Sequence, residues 1–360
     1  MAKISDYLDY EQPTKYIVDD DMYSDEYETP VLTAGKSFLL GYTNETEGIF
    51  PKENLPVIIF DDFTTSVKYV DFPFKVKSSA MKILKPTNKN VNIKFFYYLL
   101  DNLKTNNSLH KRYWISDVSK RTIDDISIEE QNKIVEEIDN IVNAIKNREE
   151  TIKQLEEYNS ALYYKLLDDN SKWELKLIGD CCNLKSGNTL PANVENEGGD
   201  VIYIKVGDMN LPGNEKYITT SSRYVTSTTA GRGIYPIGSI LFPKRGAAIY
   251  TNKKRMTVEK TCADLNIMGV YAKDTNELLP EFLYYYFYTL DLKELSNGAA
   301  IPQLNNKDIA PLEIKIPPIE LQKDFANKIN AIDQMISINK KEITELNKLL
   351  EITFKKYFNS

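Results

Sequence analysis

Residues 127–168 read SIEEQNKIVEEIDNIVNAIKNREETIKQLEEYNSALYYKLLD, and residues 318–358 read PIELQKDFANKINAIDQMISINKKEITELNKLLEITFKKYF. Aligned at an offset of 191 positions, Ile128, Glu129, Gln131, Ile138, Ile141, Ile145, Ile152, Leu155 and Lys165 recur as Ile319, Glu320, Gln322, Ile329, Ile332, Ile336, Ile343, Leu346 and Lys356. The matches are mostly apolar. In the first copy, positions 134, 138, 141, 145, 148, 152, 155, 159, 162 and 166 alternate steps of four and three, the spacing of a heptad seam. The second copy repeats the seam as Phe325, Ile329, Ile332, Ile336, Asn339, Ile343, Leu346, Leu350, Thr353 and Tyr357. Neither stretch has Gly or Pro in its interior, so each is predicted as one helix of about 40 residues, about 60 Å long at 1.5 Å per residue. Ser127 with Glu130 three residues on forms a capping-box pattern at the first start, and Pro317 and Pro318 mark the second.

A single amphipathic helix ordinarily packs on its own domain. Two copies with the same narrow seam predict mutual pairing, through Ile138, Ile141, Ile145, Arg148, Ile152 and Leu155 on one helix and Ile329, Ile332, Ile336, Asn339, Ile343 and Leu346 on the other. Arg148 and Asn339 are equivalent polar positions near mid-helix. In an antiparallel pair the midpoints meet, which predicts a polar Arg148/Asn339 layer that disfavours slipped registers.

The segments ahead of the helices correspond more loosely. VIIFDDFTT (57–65) resembles SILFPKRGAAI (239–249), and FFYYLL (95–100) resembles FLYYYF (282–287). Apolar β-rich runs at Val57 to Phe60, Val201 to Val206 and Ile237 to Phe242, broken by Gly and Asn turns, predict mixed α/β lobes. The predicted fold class is α+β, with two such lobes separated by two long antiparallel coiled-coil helices in a pseudo-two-fold repeat. The predicted domains are a lobe at 1–126, a helix at 127–168, a lobe at 171–317 and a helix at 318–358.

With 360 residues, 42% hydrophobic, 27% charged and 15 each of Gly and Pro, the composition is that of a folded globular chain. Met1 to Tyr10 carries acids and no apolar core of a signal peptide, and no stretch approaches the roughly 20 apolar residues of a membrane span. A cytoplasmic protein without membrane association is expected. Cys181, Cys182 and Cys262 have no metal-type spacing and His110 is the sole histidine, which speaks against a disulfide framework, a zinc site or a histidine-based triad.

The net charge of −7 argues against a nucleic-acid binder, but it is unevenly spread. Residues 1–50 hold 3 Lys+Arg against 11 Asp+Glu, and residues 123–170 hold 5 against 13. From Lys216 to Val258 there is no acid, while Lys216, Arg223, Arg232, Lys244, Arg245, Lys253, Lys254 and Arg255 accumulate. Phe72 to Leu100 is likewise acid-free and holds Lys75, Lys77, Lys82, Lys85, Lys89 and Lys94.

Catalytic motifs are missing or incomplete. Ala34-Gly35-Lys36-Ser37 ends like a phosphate-binding loop, but Pro30 stands where the earlier glycine belongs. Pro317-Pro318 follows Ile316, not the Asp or Asn of an amino-methylating motif. Glu313-Ile314-Lys315 has a nuclease-like local form, yet the alternation of Leu312, Ile314 and Ile316 reads better as an exposed strand face. Binding chemistry remains: Lys and Arg neutralise phosphates, and Arg, Lys, Asn and Gln read base edges. The candidate DNA-binding residues are Lys244, Arg245, Asn252, Lys253, Lys254 and Arg255, the loop amides Gln303 and Asn305 within 297–306, and Lys75, Lys77, Lys111 and Arg112 in the first lobe. Where the second lobe has Lys244-Arg245, the sequence match puts Asp61-Asp62 in the first, as turn or cap aspartates or as acceptors for cytosine N4.

Architecture and residues together resemble the specificity subunits of Type I restriction-modification systems. The resemblance spans essentially the whole chain and is strongest at the lobe-to-helix junction LNNKDIAPLEIKIPPIELQ (304–322), echoed by SDVSKRTIDDISIEEQ (116–131). WELKLIGDCCNLKSGNT (173–189) looks like a recognition-domain start in that family and SILFPKRGAAIYTNKKR (239–255) like its middle. The first lobe departs by being shorter and acidic at its N-terminus. The resemblance implies that each lobe is a target-recognition domain reading one half of a split, asymmetric site in double-stranded DNA, with the helices setting the gap. It also implies two methyltransferase subunits that bring S-adenosylmethionine, and motor-nuclease subunits that bring ATP and Mg²⁺, with no cofactor or catalytic residue in this chain. The competing reading is a non-enzymatic coiled-coil scaffold for acidic protein partners.

Overall fold

The computed structural model describes residues 1–34, 37–103, 112–168, 173–195, 197–296 and 301–358. Gly35, Lys36, His110, Lys111 and the loop 297–300, all discussed above, lie outside the described residues. The two long helices run from Ile128 to Asp168 and from Ile319 to Phe358. The first starts as its capping box predicts, with the Glu130 N–H donating to Ser127 Oγ at 3.2 Å. The chain forms two compact units. One comprises Met1–Glu149 with Lys341–Ser360, the other Glu150–Lys340. Each therefore combines a lobe with the first half of one long helix and the second half of the other.

In the first unit, a four-stranded antiparallel sheet has the order Leu8–Glu11, Met81–Pro86, Val57–Asp61, Val67–Val70. A three-stranded sheet has the order Leu39–Thr43, Thr29–Leu32, Lys75–Val76, the last pair parallel. In the second unit, a five-stranded sheet runs Cys182–Ser186, Ile267–Ala272, Ile240–Pro243, Arg255–Thr257, Tyr217–Ile218, and a three-stranded sheet runs Tyr224–Val225, Val201–Ile204, Thr261–Ala263. The two lobes thus share strand order and strand direction. Each also has one amphipathic helix, Ile93–Asn102 or Pro280–Thr289, and a short antiparallel pair that closes the lobe, Ala2–Lys3 with Thr122–Ile123 or Glu174–Leu177 with Glu313–Ile316. The repeat seen in the helices extends through the lobes. It was faint there in the sequence because insertions shift the register.

The main insertion is the segment around Tyr217–Ile218, a strand that has no counterpart among the described residues of the first lobe and pairs parallel with Arg255–Thr257. It brings Lys216 and Tyr217 to the second long helix, where Lys216 Nζ and Tyr217 Oη donate to Asp333 Oδ2 at 2.6 and 2.5 Å. In the first unit the lobe's own helix makes the corresponding clamp, Lys94 Nζ and Tyr98 Oη donating to Asp139 at 2.7 and 2.5 Å. Burial raises the pKa of both tyrosines and the carboxylates raise it further. Both tyrosine hydroxyls therefore stay protonated donors at neutral pH.

A second tether sits at matched positions. Gln131 and Gln322 are 1% and 0% exposed. Gln131 accepts from the Asn92 N–H at the cap of the first lobe's helix and donates to the Ile126 carbonyl, both at 2.9 Å. Gln322 accepts from Leu279 N–H at the corresponding cap and donates to the carbonyls of Glu277 and Pro317, all at 2.8 Å. One amide thus staples the entry of the lobe helix to the entry of the long helix, twice.

Within each unit the paired halves of the long helices run antiparallel. In the first, Tyr357 Oη donates to Glu137 Oε2 at 2.6 Å, Arg148 pairs with Glu342, and Ile134 and Ile138 share a core with Leu350, Phe354 and Phe358. In the second, Tyr163 meets Phe325 with ring centroids 6.0 Å apart inside a core that includes Ile329. Ile138, Ile141, Ile329 and Ile332 are buried, while Ile145, Ile152, Leu155, Ile336, Ile343 and Leu346 are half-buried. The expected polar layer is not how its two members are satisfied. Arg148 is exposed and bonded to Glu342, and buried Asn339 donates to the Met335 carbonyl of its own helix at 2.8 Å. A long guanidinium reaches water and a carboxylate more cheaply than it can be desolvated in a seam.

Candidate nucleic-acid interface

Two basic or amide-bearing tracts far apart in sequence meet at one edge of the second lobe. Strand Ile240–Pro243 ends at Lys244, whose N–H donates to the Asn266 carbonyl at 2.8 Å and whose carbonyl accepts from Leu304 N–H at 2.9 Å. Arg245 and Gln303 then form an antiparallel bridge, and Gly246 N–H donates to the Pro302 carbonyl at 2.8 Å. Gly246 has φ +73° and ψ −169°, a backbone shape open essentially to glycine, and it turns the chain sharply after Arg245. Lys244 is half-buried with Nζ donating to Ser186 Oγ at 2.8 Å, while Arg245 is exposed. Asn305, half-buried, caps the short helix Asn306–Ile309, with Asp308 accepting from its N–H at 2.8 Å. The edge therefore sets the Arg245 guanidinium and the Gln303 amide side by side, groups that contact phosphates and base edges, while the Lys244 ammonium is held by Ser186 and the Asn305 amide faces Asp308.

The other candidates part company with this edge. Lys254 was expected at the DNA surface, but it is 3% exposed and donates to Asn252 Oδ1 at 2.7 Å and the Leu290 carbonyl at 2.5 Å. Burial holds its pKa down to about 8. Asn252 takes left-handed backbone (φ +52°), and its Oδ1 also accepts from Leu292 N–H at 2.9 Å. Arg255 is half-buried, with its guanidinium on the carbonyls of Met209 and Lys254, and burial lowers its pKa. Asn252 and Lys254 fasten the second lobe's hairpin link to the turn and short helix that follow Tyr288, and Arg255 ties it to the turn at Met209. Lys253 is half-buried and pairs with Asn210.

In the first lobe, Lys75 is a correction of the same kind. It is 2% exposed, donating to the Glu47 carbonyl at 2.7 Å and pairing with Glu45 at 2.5 Å. Lys77 pairs with Asp21, and Arg112 is exposed. Acids from the N-terminal segment thus pair with Lys75, Lys77 and Lys85 of the acid-free tract, a pairing invisible to a local charge count. Asp61 is a turn aspartate, Oδ1 accepting from Phe63 N–H at 2.9 Å and Thr64 N–H at 3.3 Å. Asp62 is buried, accepting from Trp114 N–H at 2.9 Å and pairing with buried Lys82 at 3.4 Å. Neither carboxylate is presented as a base acceptor.

Strand registers also correct the sequence match by one residue. Asp61 pairs with Met81 as Pro243 pairs with Ile267, and Tyr113 N–H donates to the Asp62 carbonyl at 3.0 Å as Leu304 N–H does to that of Lys244. Asp62 therefore corresponds to Lys244, and Phe63 to Arg245. Among the described residues no cluster of three or more His, Cys, Asp and Glu side chains is placed to hold a metal, and no helix is long and apolar enough to cross a membrane. Glu313–Ile316, considered above for its nuclease-like form, is a strand with Ile314 and Ile316 buried and Glu313 and Lys315 exposed.

The chain is similar to known proteins in sequence and in fold. Residues 170–348 match the sequence profile of the Type I restriction modification DNA specificity domain. The specificity subunit of the Type I restriction enzyme EcoR124I/EcoR124II of Escherichia coli is 31% identical over 375 aligned positions, 97% of this chain and 89% of that one. The MjaIX specificity subunit of Methanocaldococcus jannaschii is 29% identical over 198 positions, 52% of this chain and 44% of that one. In three dimensions, the crystal structure of the Type I restriction-modification system S subunit from M. genitalium matches with a TM-score of 0.64 at 17% identity, covering 99% of this chain and 95% of that one. A chain from a structure concerned with complex assembly and conformational transition of the type I R-M system matches at 0.56 and 15% identity, covering 99% and 96%.

Proposed function

This chain belongs to the family of Type I restriction-modification specificity subunits, and from that premise we propose that it reads a bipartite, asymmetric site in double-stranded DNA and directs methylation or cleavage by partner subunits. Each lobe reads one half-site and the long helices set the unread gap. The observation that carries this reading is the repetition of one strand order in two lobes, each joined to its long helix by the same buried glutamine. A duplicated reader on a spacer suits a split target, because each half can differ while the geometry stays common. Two methyltransferase subunits dock on the long helices and bring S-adenosylmethionine. Exposed apolar side chains there, Tyr158, Met335, Ile338 and Ile352, supply surface for such docking. Motor-nuclease subunits bring ATP and Mg²⁺. The chain itself is non-catalytic and works in the cytoplasm.

The test is a genome-wide map of adenine methylation in the host with and without the gene. Loss of one split, asymmetric motif with all other methylation unchanged is the expected result. An unchanged map, with the partner subunits expressed and assembled, overturns the reading and favours a protein scaffold.

A further inference from the structure

We infer that two pseudo-equivalent residue pairs, Arg245 with Gln303 in the second lobe and Phe63 with Arg112 in the first, are the specificity-determining contacts of their respective half-sites. This rests on the DNA-reading function proposed above and names the atoms that would carry it.

The argument starts from the backbone. In both lobes one strand of the main sheet ends at a residue locked on both sides. Asp62 N–H donates to the Ala80 carbonyl at 3.4 Å and the Asp62 carbonyl accepts from Tyr113, while Lys244 N–H donates to the Asn266 carbonyl and the Lys244 carbonyl accepts from Leu304. The locked residue is committed internally in each case, Asp62 to Lys82 and Trp114 N–H, Lys244 to Ser186. The next residue along emerges at the surface: Phe63 is 50% exposed and Arg245 is exposed. Across from it, one residue before the bonded Tyr113 or Leu304, stand exposed Arg112 and half-exposed Gln303. The backbone bonds on either side of the locked residue recur in the two lobes, and the chemistry presented next to it differs.

Phe63 leaves half of its surface exposed on a locked turn, where its ring edge fits a thymine methyl. A guanidinium beside it suits guanine O6 and N7. Arg245 with Gln303 presents a guanidinium and an amide side by side, the groups that bond guanine and adenine bidentately. Of the other cations in the two basic tracts, Lys75 and Lys254 are buried and Lys77 pairs with Asp21, so they are not available in the way exposed Arg112 and Arg245 are.

The test exchanges the pairs. Arg245→Phe with Gln303→Arg moves the cation across the bridge without changing net charge, and Phe63→Arg with Arg112→Gln does the same in the first lobe. Each variant is expressed with the full set of partner subunits and methylation is mapped genome-wide. The first exchange is expected to lower methylation at the original motif at least about tenfold and to alter only one half of the motif, and the second only the other half. Arg245→Lys, which keeps the charge and loses the fork, is expected to relax one position of its half-site. Retention of the original motif by both exchanges, or a change in both halves from one exchange, overturns the inference.

If an exchange abolishes methylation, duplex binding by the purified complex decides. Wild-type affinity for unrelated duplex with wild-type salt dependence means that base reading alone was lost and supports the inference. A uniform loss with a shallower salt slope means phosphate contact and overturns it. Absence of any motif with the unaltered chain points instead to failure of the underlying DNA-reading proposal.

Discussion

Gln322→Leu leaves Leu279 N–H and the carbonyls of Glu277 and Pro317 without their side-chain partner in a buried junction. Unsatisfied buried groups are costly, so a loss of about 2–4 kcal/mol is expected in urea denaturation, with Gln131→Leu acting in the same direction on the first unit. Matched glutamines were visible in the sequence as a polar pair in an otherwise mostly apolar repeat. Their task was not, because the lobe-helix caps they bond lie about forty residues upstream. Lys254 was misread for a related reason: a run of cations looks solvated until the fold buries one. Its folded pKa, near 8, lies below the roughly 10.4 of an exposed lysine. Over that interval the unfolded chain holds the extra proton, so stability rises with pH from about 8 toward 10.4. Relative to Lys254→Met, the wild type is expected to gain on the order of 1–3 kcal/mol across this window in chemical denaturation.

At the scale of elements, the long helices draw their stability from the buried ends of the seam. Ile329→Ala, in a fully buried position shared with Phe325 and Tyr163, is expected to cost about 2–4 kcal/mol. Arg148→Ala, which breaks an exposed ion pair with Glu342, is expected to cost less than about 1 kcal/mol by the same measurement. Such a contrast assigns the pairing to the apolar ends and not to a polar lock at mid-helix. The lobe-to-helix clamps differ for a reason of topology. Asp139 receives Lys94 and Tyr98 from a helix both lobes possess, while Asp333 receives Tyr217 and the preceding Lys216 from a strand found, among the described residues, only in the second.

For the molecule as a whole, two lobes with a common strand order and separate cores make recognition modular. Replacing residues 171–317 with the corresponding lobe of another specificity subunit is expected to change one half of the methylated motif and leave the other half intact. Methylation mapping of the chimera checks this, and alteration of both halves would falsify independent reading.

The sequence by itself determined the two long helices, their ends, the repeat and the family, because period, capping and absence of helix breakers act locally and leave a trace in residue order. It also brought Arg245 and Gln303 into view by their chemistry. Only the tertiary structure decided which cations face outward, since burial of Lys75 and Lys254 depends on carboxylates and carbonyls remote in sequence. The register that sets Phe63, not Asp62, against Arg245 is the one obtained by aligning Phe60 with Phe242 without a gap, so it was latent in the sequence. Turns of different length leave gapped and ungapped matches both open, and the backbone hydrogen bonds at the strand ends choose between them.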